Sequence, residues 1–151
     1  MDAIPVCDFI QQGRIVVTKS PIADLQEDLI NDYWENYVTD CAIDPYQSQH
    51  LGENLEHEGI IISSMAQTTR HFNEPITAFR QAISDGLFTH DDDPLLRWCL
   101  SNAVAVKDRS DRWMYAKSDS AQKIDPLVAL TMAFARAMYA PARTDGDPFI
   151  C

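Results

Sequence analysis

The chain has 151 residues, 46% of them hydrophobic, which is enough for one domain with a real core. Its formal net charge of −11 argues against a free-standing nucleic-acid binder, because phosphate contact needs Lys and Arg. Four scattered cysteines (Cys7, Cys41, Cys99, Cys151) form no CxxC or CxH pair, so a disulfide framework or zinc site is disfavoured and reduced cytosolic thiols are the default.

The charge is uneven. Residues 1–60 carry twelve acids against Arg14 and Lys19, whereas the rest of the chain is nearly balanced. Arg97, Lys107, Arg109, Arg112, Lys117 and Lys123 fall in one segment of that second part, where a partner surface is expected. Asp2 and Asp8 interrupt the N-terminus, so no signal peptide is expected. The longest apolar run, 127–139, is shorter than the roughly 20 residues a bilayer needs, and the chain reads as soluble.

In chain order, residues 5–12 read as a short helix or turn ended by Gly13. Residues 14–18 are β-branched and strand-like, closed by Lys19-Ser20-Pro21. Ile22, Leu25, Leu29, Ile30, Tyr33, Trp34 and Tyr37 then keep helical spacing, which predicts an amphipathic helix over 22–37. A short strand over 40–44 stops at Asp44-Pro45, because Pro45 removes a ladder donor. A helix over 47–58 ends at Gly59, and the Ile run of 59–63 predicts a buried strand. Strand–helix–strand–helix–strand at these lengths implies crossover connections and a parallel sheet.

Beyond that point the pattern changes. Helices are predicted over 75–84 and 94–101, with a brief strand over 87–90 between them. Residues 103–107 and 112–117 alternate around the polar turn 108–111, which predicts a hairpin. Lys123-Ile124-Asp125-Pro126 opens the last helix, 126–139, with Asp125 suited to the N-cap and Pro126 to the first helical position. That helix is apolar nearly all round, with Arg136 its only charge before Pro141, so it is expected to be buried. No repeat or linker interrupts the chain. The expectation is a single domain, 1–151, with its core at about 4–140 and a frayed tail over 141–151.

Two acids stand out by position: Asp44 ends a buried strand and Asp125 begins a buried helix. Sites in parallel α/β sheets collect at the C-terminal ends of strands, and helix N-termini tolerate a carboxylate. If the two meet, their repulsion calls for a cation between them, and oxygen ligands favour Mg²⁺ or Mn²⁺. Simple capping by Asp125 is the competing explanation.

The order Pro5-Val6-Cys7-Asp8-Phe9, Gln12-Gly13-Arg14-Ile15-Val16-Val17-Thr18 and Ala42-Ile43-Asp44-Pro45 resembles the nuclease domain of tailed-phage terminase large subunits. So do His71-Phe72-Asn73-Glu74-Pro75, the run from Pro94-Leu95-Leu96-Arg97-Trp98 to Asn102-Ala103-Val104, and Lys123-Ile124-Asp125-Pro126-Leu127-Val128-Ala129-Leu130. The resemblance covers roughly residues 4–140. It implies an incomplete RNase H-like fold of the α/β class, with a mixed sheet, flanking helices and a buried C-terminal helix. It implies a Mg²⁺- or Mn²⁺-dependent endonuclease acting on double-stranded DNA during phage genome packaging, in the bacterial host cytoplasm. Asp44 matches the family's acid at the end of the fourth strand, and Asp125 the acid at the head of the final helix. The implied partners, besides DNA, are a portal protein, a small terminase subunit or an upstream terminase segment, and no membrane.

This chain departs from the family pattern. No Walker-type motif marks the packaging ATPase, and the first nuclease strand, with its own metal-binding Asp, has no counterpart before Arg14. The chain is therefore expected to be a C-terminal piece, as a split product, prophage remnant or trimmed frame, with impaired activity alone. Arg97, Lys107, Arg109, Arg112 and Lys123 are the candidates for DNA phosphate, against ordinary solvated charge. His50 and His57 share a helix face and read as exposed polar residues before metal ligands, while Trp98 and Trp113 read as core. Two other classes stay open: a non-catalytic assembly module of the packaging machinery, and an unrelated α/β domain for a small ligand.

Overall fold

The computed structural model describes residues 6–46, 48–119 and 122–139; the tail over 141–151 lies outside them. Helix α1 (Val6–Gln11) ends at Gly13, whose φ of +70° suits a residue without a Cβ. Helix α2 (Pro21–Glu35) follows, then strand β1 (Cys41–Ile43), helix α3 (Gln49–His57) and strand β2 (Ile62–Ser64). The two strands pair in parallel, Cys41 opposite Ile62 and Ile43 opposite Ser64, with α3 as the crossover. Gly52 lets α3 lie close on β1: a Cβ there would meet Ile43 Cδ1 at 2.5 Å.

The second part holds helix α4 (Thr69–Ser84), helix α5 (Pro94–Ser101), strands β3 (Ala103–Lys107) and β4 (Trp113–Lys117), and helix α6 (Asp125–Tyr139). β3 and β4 form the predicted antiparallel hairpin, Ala103 opposite Lys117 and Lys107 opposite Trp113. Among the described residues, the strands are divided between two two-stranded sheets, one parallel and one antiparallel, where one mixed sheet was expected. The main core lies between α4, α6 and the hairpin. Met65, Phe72, Ile76, Met132 and Ala135 form it, and Ala42, Trp113, Met114, Tyr115 and Val128 pack against it. A second cluster of Tyr33, Leu55 and Ile60 joins α2 to α3.

Four expectations need correction. Residues 14–18 form no strand. The Arg14 and Ile15 N–H groups donate back to the Phe9 carbonyl (2.9 and 3.3 Å), and Val16 and Val17 are 80% and 73% exposed. β-Branched residues favour a strand only where a neighbouring strand and a buried face receive them, and the described residues offer neither. Residues 87–90 likewise form none. Helix α4 begins at Thr69 and runs through Pro75, although proline usually marks a helix start. Phe72 and Ile76, one turn apart on either side of Pro75, are both fully buried, and that packing outweighs the missing N–H. Lastly, α6 is buried on one side only: Leu127, Thr131, Met132 and Ala135 face inward, while Ala129, Ala133 and Ala137 form an exposed stripe.

Candidate functional site

Asp44 directly follows β1 and is half-buried. The Tyr46 N–H donates to its Oδ1 at 3.1 Å, and the Ser48 hydroxyl donates to its carbonyl oxygen. Asp125 is the first residue of α6 and is exposed. The first turn closes through Val128 N–H to the Ile124 carbonyl at 3.1 Å, so Ile124 holds the capping position and Asp125 sits one step inside, contrary to its expected role as N-cap. Pro126 is then the second helical residue. The buried Cys99 on α5 lies near this helix start: burial first, then the charges of Asp125 and Asp93, push its thiol up to about 11.

The elements that carry the two acids are tied at their other ends. Arg136, in the last turn of α6, donates from Nε and Nη2 to both oxygens of Asp40, at 2.9 and 2.8 Å, and Asp40 directly precedes β1. From that pair, β1 leads to Ala42, which packs on the cluster holding Met132 and Ala135, and Val128 packs on the same cluster nearer the start of α6. From the Arg136–Asp40 pair, β1 leads on to Asp44 and α6 leads back to Asp125. Asp44 lies about 13 Å along the strand and Asp125 about 16 Å along the helix, from 3.3 and 1.5 Å per residue. Carboxylate oxygens are the donor type for Mg²⁺ or Mn²⁺, and Mg²⁺ is commonly held by one or two carboxylates with water completing its shell, so each acid is by its chemistry a donor such an ion takes.

Among the described residues no group of three or more His, Cys, Asp or Glu side chains is placed to hold a metal. His50 is almost fully exposed and pairs with Glu53 at 3.4 Å. His71 lies in α4, where its Nδ1 meets the Thr68 hydroxyl at 2.9 Å. In the acidic run before α5, Asp93 caps the helix by accepting from Leu96 N–H at 2.9 Å and also meets Arg14, while Asp92 pairs with Arg97.

The five cations proposed for DNA do not form one patch. Arg97 is tied to Asp92, Lys107 to Asp111 at 2.8 Å and Arg112 to Asp108 at 2.9 Å. Lys107 and Arg112, with Arg109, stand at the turn end of the hairpin. Lys123 stands at its base, where the Lys123 carbonyl accepts from Asn102 Nδ2 at 3.1 Å. The four-residue register between those ends corresponds to about 14 Å. Lys117, opposite Ala103 at the base, joins Lys123 at the Asp125 end. Sequence reading also passed over Arg80, an exposed residue of α4. Its guanidinium lies 4.8 Å from the Trp113 ring centroid, and the Lys107 ammonium lies 4.7 Å from it. No helical periodicity announces that contact, which joins two elements far apart in sequence.

Small sheets flanked by helices give the chain an α/β, RNase H-like architecture. The fold is matched by the crystal structure of the HK97 bacteriophage large terminase, with a TM-score of 0.77 and 21% identity over 89% of this chain and 29% of that one. Residues 15–140 match the family "Terminase large subunit, endonuclease domain", and the chain belongs to that family. Protein YmfN of Escherichia coli (strain K12) is 32% identical over 135 residues, which is 86% of this chain and 30% of the relative. The "Terminase, large subunit" of Enterobacteria phage HK97 is 25% identical over 97% of this chain and 30% of its own length. The chain thus spans about a third of the length of the curated relatives it matches. Among the described residues no helix is long and apolar enough to cross a membrane.

Proposed function

We propose that this chain is the endonuclease part of a phage or prophage packaging terminase, acting on double-stranded DNA with Mg²⁺ or Mn²⁺ in the host cytoplasm. The observation that carries the reading is the match of residues 15–140 to the terminase endonuclease family, and it is supported by Asp44 at the end of β1 and Asp125 at the start of α6. The Tyr46 N–H orients the Asp44 carboxylate, and the positive end of the α6 dipole tolerates the charge of Asp125. A pair of divalent ions, when bound, supplies a clamp on both oxygens of an in-line phosphate displacement. Lys117 and Lys123 attract the DNA backbone toward that end, and Arg109 and Arg112 engage it farther along the hairpin.

Substituting Asp44→Asn or Asp125→Asn is expected to weaken Mn²⁺ binding while the circular dichroism spectrum stays native. Unchanged titrations in both variants, or carboxyl groups more than about 8 Å apart, would rule out a shared ion, whose metal–oxygen bonds are roughly 2.0–2.6 Å. The isolated chain is expected to cut DNA feebly, because two ions need more carboxylates than these two to neutralise and place them. Robust Mn²⁺-dependent plasmid nicking that Asp44→Ala abolishes would mean that two acids suffice.

A second reading is favoured by the surface of the acidic part. Val16, Val17, Ile22 and Leu25 are exposed there among carboxylates, a surface better suited to protein than to DNA. On that reading the chain is a non-catalytic assembly module for a portal protein, a small terminase subunit or an upstream terminase segment. Capture of purified portal protein, lost in Val16→Asp/Val17→Asp, would favour it.

A further inference from the structure

We propose that Arg136 and Asp40 are positioning residues that fix how far α6 slides along β1, and thereby hold Asp125 in register with Asp44. The proposal rests on the shared-acid site proposed above and adds the device that sets its geometry.

The tie is built as a fork. Arg136 donates through Nε and Nη2 to the two Asp40 oxygens at 2.9 and 2.8 Å, and Ser63 Oγ of β2 donates to Asp40 Oδ2 at 2.6 Å. A planar guanidinium against a carboxylate admits one relative placement, which a single point charge does not. Asp40 is the less exposed partner, with 17% of its side-chain area open to solvent against 41% for Arg136. One carboxylate therefore joins helix, strand and neighbouring strand.

The rest of the α6–β1 contact cannot do this work. Between Asp125 and Tyr139 the helix carries Arg136 as its only charge, and its remaining residues are apolar or small, with alanine at four positions. Apolar packing is non-directional, and β1 offers it only three residues. A slip of one helical turn would carry Asp125 about 5.4 Å along the axis, more than twice a metal–oxygen bond of roughly 2.0–2.6 Å. The fork stands at the opposite end of both elements from the acids, so it sets their register without touching an ion.

The test compares Arg136→Gln, Arg136→Lys and Asp40→Asn with Tyr139→Phe in the full chain. Tyr139→Phe removes the 2.8 Å hydrogen bond from Tyr139 to Glu74, another tie of the same helix end, and serves as the control for lost stability. Two quantities are read at a temperature where all variants are folded: Mn²⁺ affinity by calorimetry, and nuclear Overhauser contacts from the Ala42 methyl to Met132 and Ala135. Arg136→Gln and Asp40→Asn are expected to lose about tenfold or more in Mn²⁺ affinity, the usual range for residues that orient metal ligands. Their Ala42 contacts should shift along α6, Arg136→Lys should fall between, and Tyr139→Phe should match the wild type. Wild-type affinity with unchanged Ala42 contacts in Arg136→Gln would overturn the proposal, as would an equal affinity loss in Tyr139→Phe. If Arg136→Gln does not fold, Arg136→Lys carries the decision, because it keeps the charge and loses the fork. Mn²⁺ binding indifferent to Asp44 and Asp125 in the wild type would instead sink the shared site, and the Ala42 contacts alone would then decide the register.

Discussion

The stretch from α1 to β2 and the stretch from α4 to α6 are built to different standards. The later stretch is cross-braced by polar groups that each serve several elements. Asp108 accepts from the Ser110 and Arg112 N–H groups, from Arg112 Nε and from the Thr69 hydroxyl, and Asn73 Oδ1 accepts from the Trp113 N–H at 2.8 Å. Asn102 is bonded to Ser118 and Lys123, so the hairpin is tied to α4 at one end and to the start of α6 at the other. The earlier stretch has two three-residue strands, a small cluster and an extended segment whose valines face water. What separates them is partnership, since both have suitable apolar residues. The later stretch packs them between α4, α6 and the hairpin, whereas the earlier one gathers a smaller cluster between α2 and α3.

The largest effect should come from the shared core. Phe72→Ala is expected to cost about 3–5 kcal/mol, because a fully buried phenylalanine between α4, α6 and the hairpin leaves a cavity. Urea unfolding followed in parallel by fluorescence and circular dichroism would measure it. Leu55→Ala should cost about 2–4 kcal/mol, with the loss of hydrogen-exchange protection confined to α2, α3 and β2. Equal loss in α4 and α6 would show one cooperative unit and erase the contrast.

Acid should act on the later stretch next. Hydrogen bonds from the Arg112 backbone, foremost, and from Thr69, Arg112 and Ser110 hold the Asp108 carboxyl well below the usual carboxylate range. A folded pKa below the unfolded one gives stability that is present above about pH 4 and lost as pH falls toward the folded value. Asp108→Asn should therefore lower the melting temperature at pH 6 and flatten its fall between about pH 4 and pH 2. An unchanged acid limb would remove Asp108 from the account. The smallest effect belongs to Val16→Thr/Val17→Thr, expected within about 0.5 kcal/mol in thermal melts because these side chains bury little. The same pair should matter when a strand-forming terminase segment is added. The wild type should then gain stability by mass action, about 2.7 kcal/mol at a hundred times its Kd, and the variant less. A sharply melting monomer indifferent to the segment would mean that the sheet needs no further strand.

Periodicity made α2, α3, α5 and the hairpin legible, because their signals are local: helical spacing in α2, Asp93-Pro94 before α5, and alternation around 108–111. It misread residues 14–18 and α4 for one reason. Whether Val16 lies in a sheet depends on a neighbour far along the chain, and whether α4 passes Pro75 depends on what covers Phe72 and Ile76. The exposed side of α6 was hidden because alanine counts as apolar in a pattern yet tolerates water. Asp44 and Asp125 were visible as the ends of elements. The Arg136–Asp40 fork, 96 residues apart in sequence, was not, since no local pattern pairs them.

The tryptophans have a use that follows from their settings. Trp34 lies over Gly59 and is half open to solvent in the earlier stretch, whereas Trp113 has Arg80 and Lys107 against its ring in the later one. Cations against an indole face shift and dim its emission, and solvent contact moves emission to longer wavelength. The chain therefore carries an optical reporter in each of its two contrasting regions. With Trp98 replaced by Phe, unfolding of one before the other would appear as two colours changing at different denaturant concentrations, with no label attached.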